Sequence, residues 1–165
     1  MRKRANWDKE QSILSMRDEH NLLQEDWDRR QLQLGIPPDE DVLEMHEIVF
    51  LERFIELGNH CIWIAKQTKN HQPTNDFHWN ETKLDMELKS MSSLKYRSIS
   101  LRISDAAAKA ARQGFIKENF IVDLGNSSLP GKLHQQLTRY NKVHDIKIKN
   151  LFIFDKNGID RINLS

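Results

Sequence analysis

A short segment of this chain carries carboxylates and lysines at a spacing that suits metal chemistry. From Lys83 to Lys89, charged residues occupy the odd positions and apolar residues the even positions. A period of two is typical of a β-strand that buries one face and presents its charged side chains on the other. Asp76 lies upstream, after a loop around Pro73, so that a hairpin would bring it beside Glu87. The segment therefore predicts a metal site with a neighbouring lysine, and a solvated strand with paired surface charges is the structural alternative.

Such a site would suit the hydrolysis of phosphodiester bonds. A hard divalent ion held by oxygen ligands both neutralises charge in the transition state and lowers the pKa of bound water. We expect Asp76 and Glu87 to hold Mg²⁺ or Mn²⁺, with Zn²⁺ less favoured, and the carbonyl of Leu88 to be a third ligand. Lys89 would orient the attacking water and stabilise the developing charge. Asp85 lies on the same face of the strand and is an alternative ligand.

Composition indicates one globular domain. The chain has 165 residues, of which 38% are hydrophobic and 30% charged, enough for a substantial core. No apolar run approaches the roughly 18 residues of a membrane span, and the first residues lack the apolar core of a signal peptide. A single cysteine, Cys61, excludes an intramolecular disulfide. Its apolar neighbours predict a buried structural thiol.

The net charge of +1 hides a strong asymmetry along the chain. Between Asp8 and Glu56 there are 14 acidic and 5 basic residues, whereas Lys83 to Lys117 has 8 basic and 3 acidic ones. Lys132 to Lys149 adds 5 basic residues against 1 acidic residue. A polyanion would be repelled by the first third of the chain and attracted by the rest.

The elements that must position these residues follow from apolar periodicity and turn residues. In chain order they are one or two helices over 7–34, a helix over 39–57 with Asp39 as its N-cap, a buried strand over 60–65, strands over 76–79 and 83–89, a helix over 105–113 capped by Ser104, a strand over 120–124, a helix over 132–142, and a strand over 151–154 that returns through an Asn157-Gly158 hairpin turn. This order predicts a helical extension over residues 1–38 and an α/β domain over residues 39–165.

One carboxylate in the helix before the first strand stands out. Glu47 has Leu43 and Leu51 as its i−4 and i+4 neighbours, so it falls at the edge of the apolar face. A carboxylate in that position needs a structural or functional reason. Glu52, on the same helix, neighbours Ile48 and is the alternative candidate.

The element order and the acidic motif together resemble the PD-(D/E)xK nuclease superfamily, whose core runs α-β-β-β-α-β. The resemblance extends from about Glu44 to the C-terminus. Asn75-Asp76 takes the place of Pro-Asp, without the proline, and Glu87-Leu88-Lys89 is the E-x-K element. It implies a restriction-endonuclease-like core, with a mixed central sheet flanked by helices. It also implies that Glu47 adds a carboxylate for a metal-bound water or a second ion.

A basic helix follows the motif in the sequence. Members of the superfamily often place a glutamine or a basic residue there, and further basic residues nearby would follow a nucleic-acid backbone. A solvated basic helix end is the structural alternative. The predicted nucleic-acid contacts are Lys95, Arg97, Arg102, Lys109, Arg112 and Gln113.

A longer part of the chain is similar to the C-terminal toxin domains of CdiA-type contact-dependent growth inhibition proteins, many of which cleave tRNA. The segments that carry this resemblance are LGNHCIW, ND, MELKS and AAKAARQGFIKENFIVDL. It implies a tRNA nuclease that is delivered as part of a larger secreted bacterial toxin, acts in the cytoplasm of the target cell and is bound by a cognate immunity protein. The alternatives are a DNA endonuclease of a phage or mobile element and a catalytically inactive nucleic-acid-binding module.

Overall fold

The helices and strands follow one another in the predicted order. The structure, a computed structural model, describes residues 4, 23–66 and 72–165. Most of the predicted first helical segment (7–22) and part of the loop before Pro73 (67–71) lie outside the described residues. The elements are α1 (Gln24–Gln33), α2 (Met45–Glu56), β1 (Cys61–Trp63), β2 (Phe77–Trp79), β3 (Leu84–Ser90), α3 (Tyr96–Arg112), β4 (Asn119–Asp123), α4 (Gly131–Thr138), α5 (Tyr140–Val143), β5 (Asn150–Asp155) and β6 (Gly158–Arg161).

Six strands form one mixed sheet in the order β1-β2-β3-β4-β5-β6. The first three strands pair antiparallel, β3, β4 and β5 pair parallel, and β6 returns antiparallel to β5. Parallel neighbours need a crossover connection, and α3 and α4 supply the two that are required. The predicted α/β fold, a mixed central sheet flanked by helices, is confirmed.

Apolar side chains pack on both faces of the sheet. On one face α2 places Phe50 and Phe54 against Phe77, with ring centroids 5.5 and 5.4 Å from the Phe77 ring, and Trp27 of α1 belongs to the same cluster. On the other face, residues of α3, α4 and α5 pack together with residues of β4 and β5. Successive residues of a strand point to opposite faces, so Ile121 joins the first cluster and its neighbours in β4 the second.

Helix α2 begins later than the sequence predicted. Asp39 does not cap it: the chain turns after Pro37, whose carbonyl accepts the N–H of Glu40 at 3.0 Å, and the helix starts at Met45. Glu44 and Glu47 form a capping box instead, in which the Glu44 N–H donates to Glu47 Oε1 at 2.7 Å. A reciprocal pair of this kind satisfies two helix-end donors, which a single aspartate upstream cannot do.

Helix α3 is longer than predicted, since it begins at Tyr96 rather than after Ser104. The Ser104 hydroxyl donates to the Leu101 carbonyl inside the helix and does not cap it. Ile99, Ile103, Ala107 and Ala110 follow one another at helical spacing and are buried. This apolar stripe fixes the helix on the sheet and overrides the local preference of a Ser-Asp pair for a helix start.

Two further predictions need correction. The segment at 60–65 is not a buried strand but a three-residue edge strand, β1, in which Ile62 is 61% exposed and Cys61 is only partly buried. Partial burial still raises the pKa of the Cys61 thiol to about 11. The helix over 132–142 is interrupted at Arg139, which ends α4 and precedes the short α5. Among the described helices, none combines the length and the apolar character needed to cross a membrane.

Candidate active site

A pocket of about 560 Å³ opens between the start of α2, strand β3 and one face of α3. It contains all four predicted catalytic residues and three of the six predicted nucleic-acid contacts. The predicted residues that line it are Glu47, Asp76, Glu87, Lys89, Arg102, Lys109 and Gln113.

Strand β3 supplies Glu87 and Lys89 to the pocket. By alternation, Met86 and Leu88 pack on the α2 side of the sheet and Glu87 points to the α3 side. Because α3 covers that side, Glu87 is only 4% exposed, although the pattern alone predicted a solvated face. Lys89 Nζ lies 3.0 Å from Glu87 Oε2, and Lys117 Nζ lies 2.9 Å from Glu87 Oε1. Each oxygen of this buried carboxylate therefore faces an amine.

Asp76 lies where the pairing of β2 with β3 ends. Its backbone N–H still donates to the Met86 carbonyl at 2.9 Å. The next amide of β3 to face it, that of Leu88, donates to Asp76 Oδ2 at 2.8 Å. The side chain thus replaces a backbone acceptor at the end of the ladder, which fixes its position beside Glu87.

Glu47 reaches the pocket from the first turn of α2. It is 5% exposed, and Lys66 Nζ lies 3.8 Å from its Oε2. The capping box is a structural reason for burying this carboxylate. Because Glu47 also lines the pocket, it is available to bind a ligand there as well. Lys66 is half-exposed, and the net effect of Glu47, Asp76, Asp41 and Glu87 raises the pKa of its amine even though burial lowers it.

The carboxylates of the pocket influence one another. Burial, followed by the charges of Glu87 and Glu47, raises the pKa of Asp76 to about 7, against the lowering effect of the Leu88 amide and Lys66. For Glu87, burial acts in the same direction, but Lys89 and Lys117 outweigh it and hold its pKa below the usual value. The pocket therefore keeps Glu87 anionic and makes Asp76 a group that exchanges its proton near neutral pH.

One face of α3 forms the opposite wall of the pocket. Arg102, Lys109 and Gln113 line it, with Ala106 and Ala110 between them. The small alanine side chains leave room above the carboxylates, and the basic residues surround that room. The other predicted contacts, Lys95, Arg97 and Arg112, are exposed and do not line the pocket.

The two alternative ligands lie outside this arrangement. Asp85 is exposed and accepts a contact from His78 Nδ1 at 2.7 Å, across the pairing of β2 and β3. Glu52 forms an ion pair with Arg30 of α1. Neither residue lines the pocket.

Two lysines of the pocket were not among the predicted site residues. Lys117 lies between α3 and β4, 30 positions after Glu87, and Lys66 follows β1. Both come from segments without periodic pattern, so the sequence gives no local signal for them. The one available signal was indirect, because a buried carboxylate group needs nearby cations.

The residues present suit a hard divalent ion. Within the described ranges, no group of three or more His, Cys, Asp and Glu side chains is arranged to hold a metal ion. Asp76, Glu87 and Glu47 nevertheless bring carboxylate oxygens to one pocket, and such oxygens are the ligands that Mg²⁺ and Mn²⁺ prefer. Burial is the largest cause of the raised pKa of Asp76, and the repulsion from Glu87 and Glu47 that adds to it is one that a cation would relieve.

The fold and the pocket define an α/β domain with a carboxylate–lysine site between its sheet and a basic helix. No protein-family model matches the chain, and no curated protein matches it. Among solved structures it resembles a chain of the CdiA-CT/CdiI toxin and immunity complex from Burkholderia pseudomallei, with a TM-score of 0.51 and 15% sequence identity. The match covers 72% of this chain and 82% of the other. At this identity the likeness concerns the fold.

Proposed function

We propose that this domain is a metal-dependent nuclease, and that tRNA is its substrate. The observation that carries the proposal is the convergence of Glu47, Asp76, Glu87 and Lys89 on one pocket whose opposite wall is basic. The predicted site residues come from distant parts of the chain. Burying several carboxylates around a lysine lowers stability, which is a reason to expect that the arrangement serves a function. The fold likeness to the CdiA-CT/CdiI complex supports the choice of a toxin.

Each residue of the pocket has a distinct task in this proposal. Asp76 and Glu87, with Glu47, would hold Mg²⁺ or Mn²⁺, which when bound would supply Lewis acidity and lower the pKa of water. Lys89 orients the attacking water and stabilises charge that develops on the phosphate. Arg102 and Lys109 hold neighbouring phosphates on the wall that faces the carboxylates.

The proposed partner and place of action follow from the same comparison. The solved neighbour is a toxin bound to an immunity protein, and we propose that a cognate immunity protein binds this domain in the cell that makes it. We further propose that the domain is delivered as part of a larger secreted protein and acts in the cytoplasm of the target cell. An acidic inhibitor would compete with RNA for the basic residues, and both interactions should weaken as salt rises.

Incubation with nucleic acids tests the proposal. The purified domain is mixed with total tRNA and with plasmid DNA, each with Mg²⁺, with Mn²⁺ or with EDTA. We expect tRNA to be cut at a defined position with either ion and to stay intact in EDTA. Degraded plasmid beside intact tRNA would support a DNA endonuclease instead. Intact tRNA and plasmid under all conditions would overturn the nuclease proposal.

Expression in bacteria provides the second test. We expect expression of the domain alone to stop growth, and co-expression of the immunity protein to restore it. The Lys89→Ala variant, expressed to the same level, is the control. Growth arrest by this variant as well would indicate that the toxicity does not come from the proposed chemistry.

A further inference from the structure

We propose that Lys117 is a second phosphate-binding lysine of the site. Glu87 holds the Lys117 amine in the pocket, and the phosphate of a bound phosphodiester replaces Glu87 as the partner of this amine. The inference rests on the proposed function and deepens it, since it adds a residue outside the motif that suggested the nuclease. Lys117 Nζ lies 2.9 Å from Glu87 Oε1, and its side chain is only 13% exposed. The lysine therefore lies inside the pocket and is not a surface charge.

The contacts of Glu87 indicate that its two lysines are not both needed for neutralisation. Lys89 alone would balance the single negative charge, yet Lys117 occupies the other oxygen. The three side chains are buried or nearly so, with exposures of 5%, 17% and 13% for Glu87, Lys89 and Lys117. A surplus positive charge at such a depth is unfavourable unless an anion can reach it.

The remaining charges of the pocket do not supply that anion. Glu47 is engaged by the Glu44 N–H and lies near Lys66, and Asp76 accepts the Leu88 amide. The carboxylates that line the pocket are Glu44, Glu47, Asp76 and Glu87, and the cations are Lys66, Lys89, Arg102, Lys109 and Lys117, so the cations outnumber the carboxylates by one. A group of carboxylates without these lysines would repel a phosphate, whereas this pocket can admit one.

The backbone around Lys117 is held at both ends. On one side the Phe115 N–H donates to the Ala110 carbonyl at 2.9 Å, at the end of α3. On the other side the Glu118 carbonyl accepts the N–H groups of Lys149 and Asn150 at 2.8 and 3.1 Å. A lysine on an anchored segment keeps its amine within the pocket when its carboxylate partner is lost, so the released group is already placed for a phosphate oxygen.

A comparison of variants in EDTA tests this inference without relying on catalysis. Glu87→Gln keeps the size and polarity of the side chain but no longer binds an amine as an ion pair. Fluorescence anisotropy measures the binding of uridine and thymidine oligomers of about five nucleotides to four proteins. These are the wild type, Glu87→Gln, Glu87→Gln with Lys117→Met, and Glu87→Gln with Lys156→Met. Lys156 is exposed in the turn before β6, so its loss matches the change in net charge at a distance from the pocket.

We expect Glu87→Gln to bind both oligomers about tenfold more tightly than the wild type, because a released amine forms a charge-assisted contact with phosphate. Lys117→Met should remove a large part of this gain, with a remainder from Lys89, which Glu87→Gln also releases, and Lys156→Met should leave the gain in place. A gain that is unchanged without Lys117, or that Lys156→Met reduces equally, would overturn the inference, and so would the absence of any gain. Equal results for the two oligomers indicate that the contact is to phosphate and not to the sugar.

Folding is checked by thermal unfolding of each variant. If Glu87→Gln does not fold, Lys117→Met and Lys156→Met are compared in the otherwise unchanged protein. A loss of affinity that is several-fold larger for Lys117→Met then supports the inference, and equal losses contradict it. If the protein cuts no nucleic acid but the gain in affinity depends on Lys117 as expected, the proposed function is wrong and the phosphate site stands. If the protein cuts tRNA but the gain does not depend on Lys117, only the role of Lys117 is wrong.

Discussion

Two groups of buried carboxylates lie on this sheet, and they differ in the charges and hydrogen-bond donors that surround them. Asp123, at the end of β4, accepts Arg53 Nη1 at 2.7 Å and the Gly125 N–H at 2.8 Å. Asp155, at the end of β5, accepts the N–H groups of Leu129 and Asn157 at 2.8 Å each. In the pocket, by contrast, carboxylates lie near other carboxylates, and burial together with their repulsion raises the pKa of Asp76.

The difference separates carboxylates that are paired with donors of the fold from carboxylates that line a pocket. Arg53 joins the loop ends of the sheet, since it also donates to the carbonyls of Gly125 and Asp155 and lies 4.1 Å from the centre of the Phe154 ring. Neither Asp123 nor Asp155 lines the pocket. Asp76 lines the pocket and opposes folding when it is ionised, which is what the proposed function leads us to expect, since functional sites often lower stability.

The largest expected effect is the loss of catalysis in Lys89→Ala. Removing one preorganised cation should lower the cleavage rate about a hundredfold, because the charge developing on the phosphate loses its partner. The rate is measured on tRNA with Mg²⁺, at substrate concentrations that separate kcat from KM. A rate within a factor of two of the wild type, in a folded variant, would contradict the role of Lys89.

Asp123→Ala should affect stability and leave chemistry unchanged. Removing this carboxylate leaves Arg53 without its shortest contact, and we expect the free energy of unfolding to fall by about 2 kcal/mol. The value is below that of a fully buried pair, because the Arg53 side chain is 24% exposed. Urea unfolding measures the change, and cleavage per folded molecule should equal that of the wild type. A slower rate per folded molecule would mean that the two groups of carboxylates are coupled.

Asp76→Asn should do the reverse and raise stability above neutral pH. Burial and neighbouring carboxylates raise the folded-state pKa of Asp76 to about 7. The stability that protonated Asp76 contributes is therefore fully present below the pKa of this aspartate in the unfolded chain. This stability is lost as pH rises through about 7. Asparagine can keep the contact with the Leu88 amide, so we expect a gain of about 1 to 2 kcal/mol at pH 8 that vanishes near pH 4. Urea unfolding at both pH values measures it, and a gain independent of pH would contradict the origin in charge.

A smaller effect distinguishes the basic residues of α3 that line the pocket from those near its start that do not. Arg102→Ala and Lys109→Ala remove charges that line the pocket, and each should weaken tRNA binding about three- to tenfold at low salt. Lys95→Ala and Arg97→Ala remove exposed charges outside the pocket lining and should have less effect. Affinity measured at several salt concentrations tests this order. Equal losses for all four variants would indicate that the RNA follows the whole helix and not the pocket.

The sequence predicted the parts of this site that have a local pattern. The alternation from Lys83 to Lys89 predicted strand β3 and the face that carries Glu87, because successive residues of a strand point to opposite faces. The position of Glu47 at the edge of an apolar helix face indicated that this carboxylate has a structural or functional reason to be there. The element order implied the mixed sheet through its resemblance to the PD-(D/E)xK nuclease superfamily. For β3 and Glu47 the information lies within a few residues of the chain, whereas for the sheet it lies in the order of the elements.

The rest depends on contacts between distant residues. Nothing near Lys117 indicates that it meets Glu87, and the apolar composition of β1 does not distinguish an edge strand from a central one. Ser104 and Asp105 have the appearance of a helix start, yet the apolar stripe that begins at Ile99 places them inside α3. Local preferences of less than about 1 kcal/mol yield to the burial of such a stripe.

The central claim is that the carboxylates of the pocket serve phosphodiester hydrolysis, and Glu87→Ala tests it most directly. Cleavage of tRNA with Mg²⁺ is measured for the wild type, Glu87→Ala and Asp123→Ala, with urea unfolding of the same samples to correct each rate for the folded fraction. The account predicts that Glu87→Ala remains folded and loses about a hundredfold or more in rate, while Asp123→Ala is less stable and cuts at the wild-type rate per folded molecule. Normal cleavage by folded Glu87→Ala would contradict it.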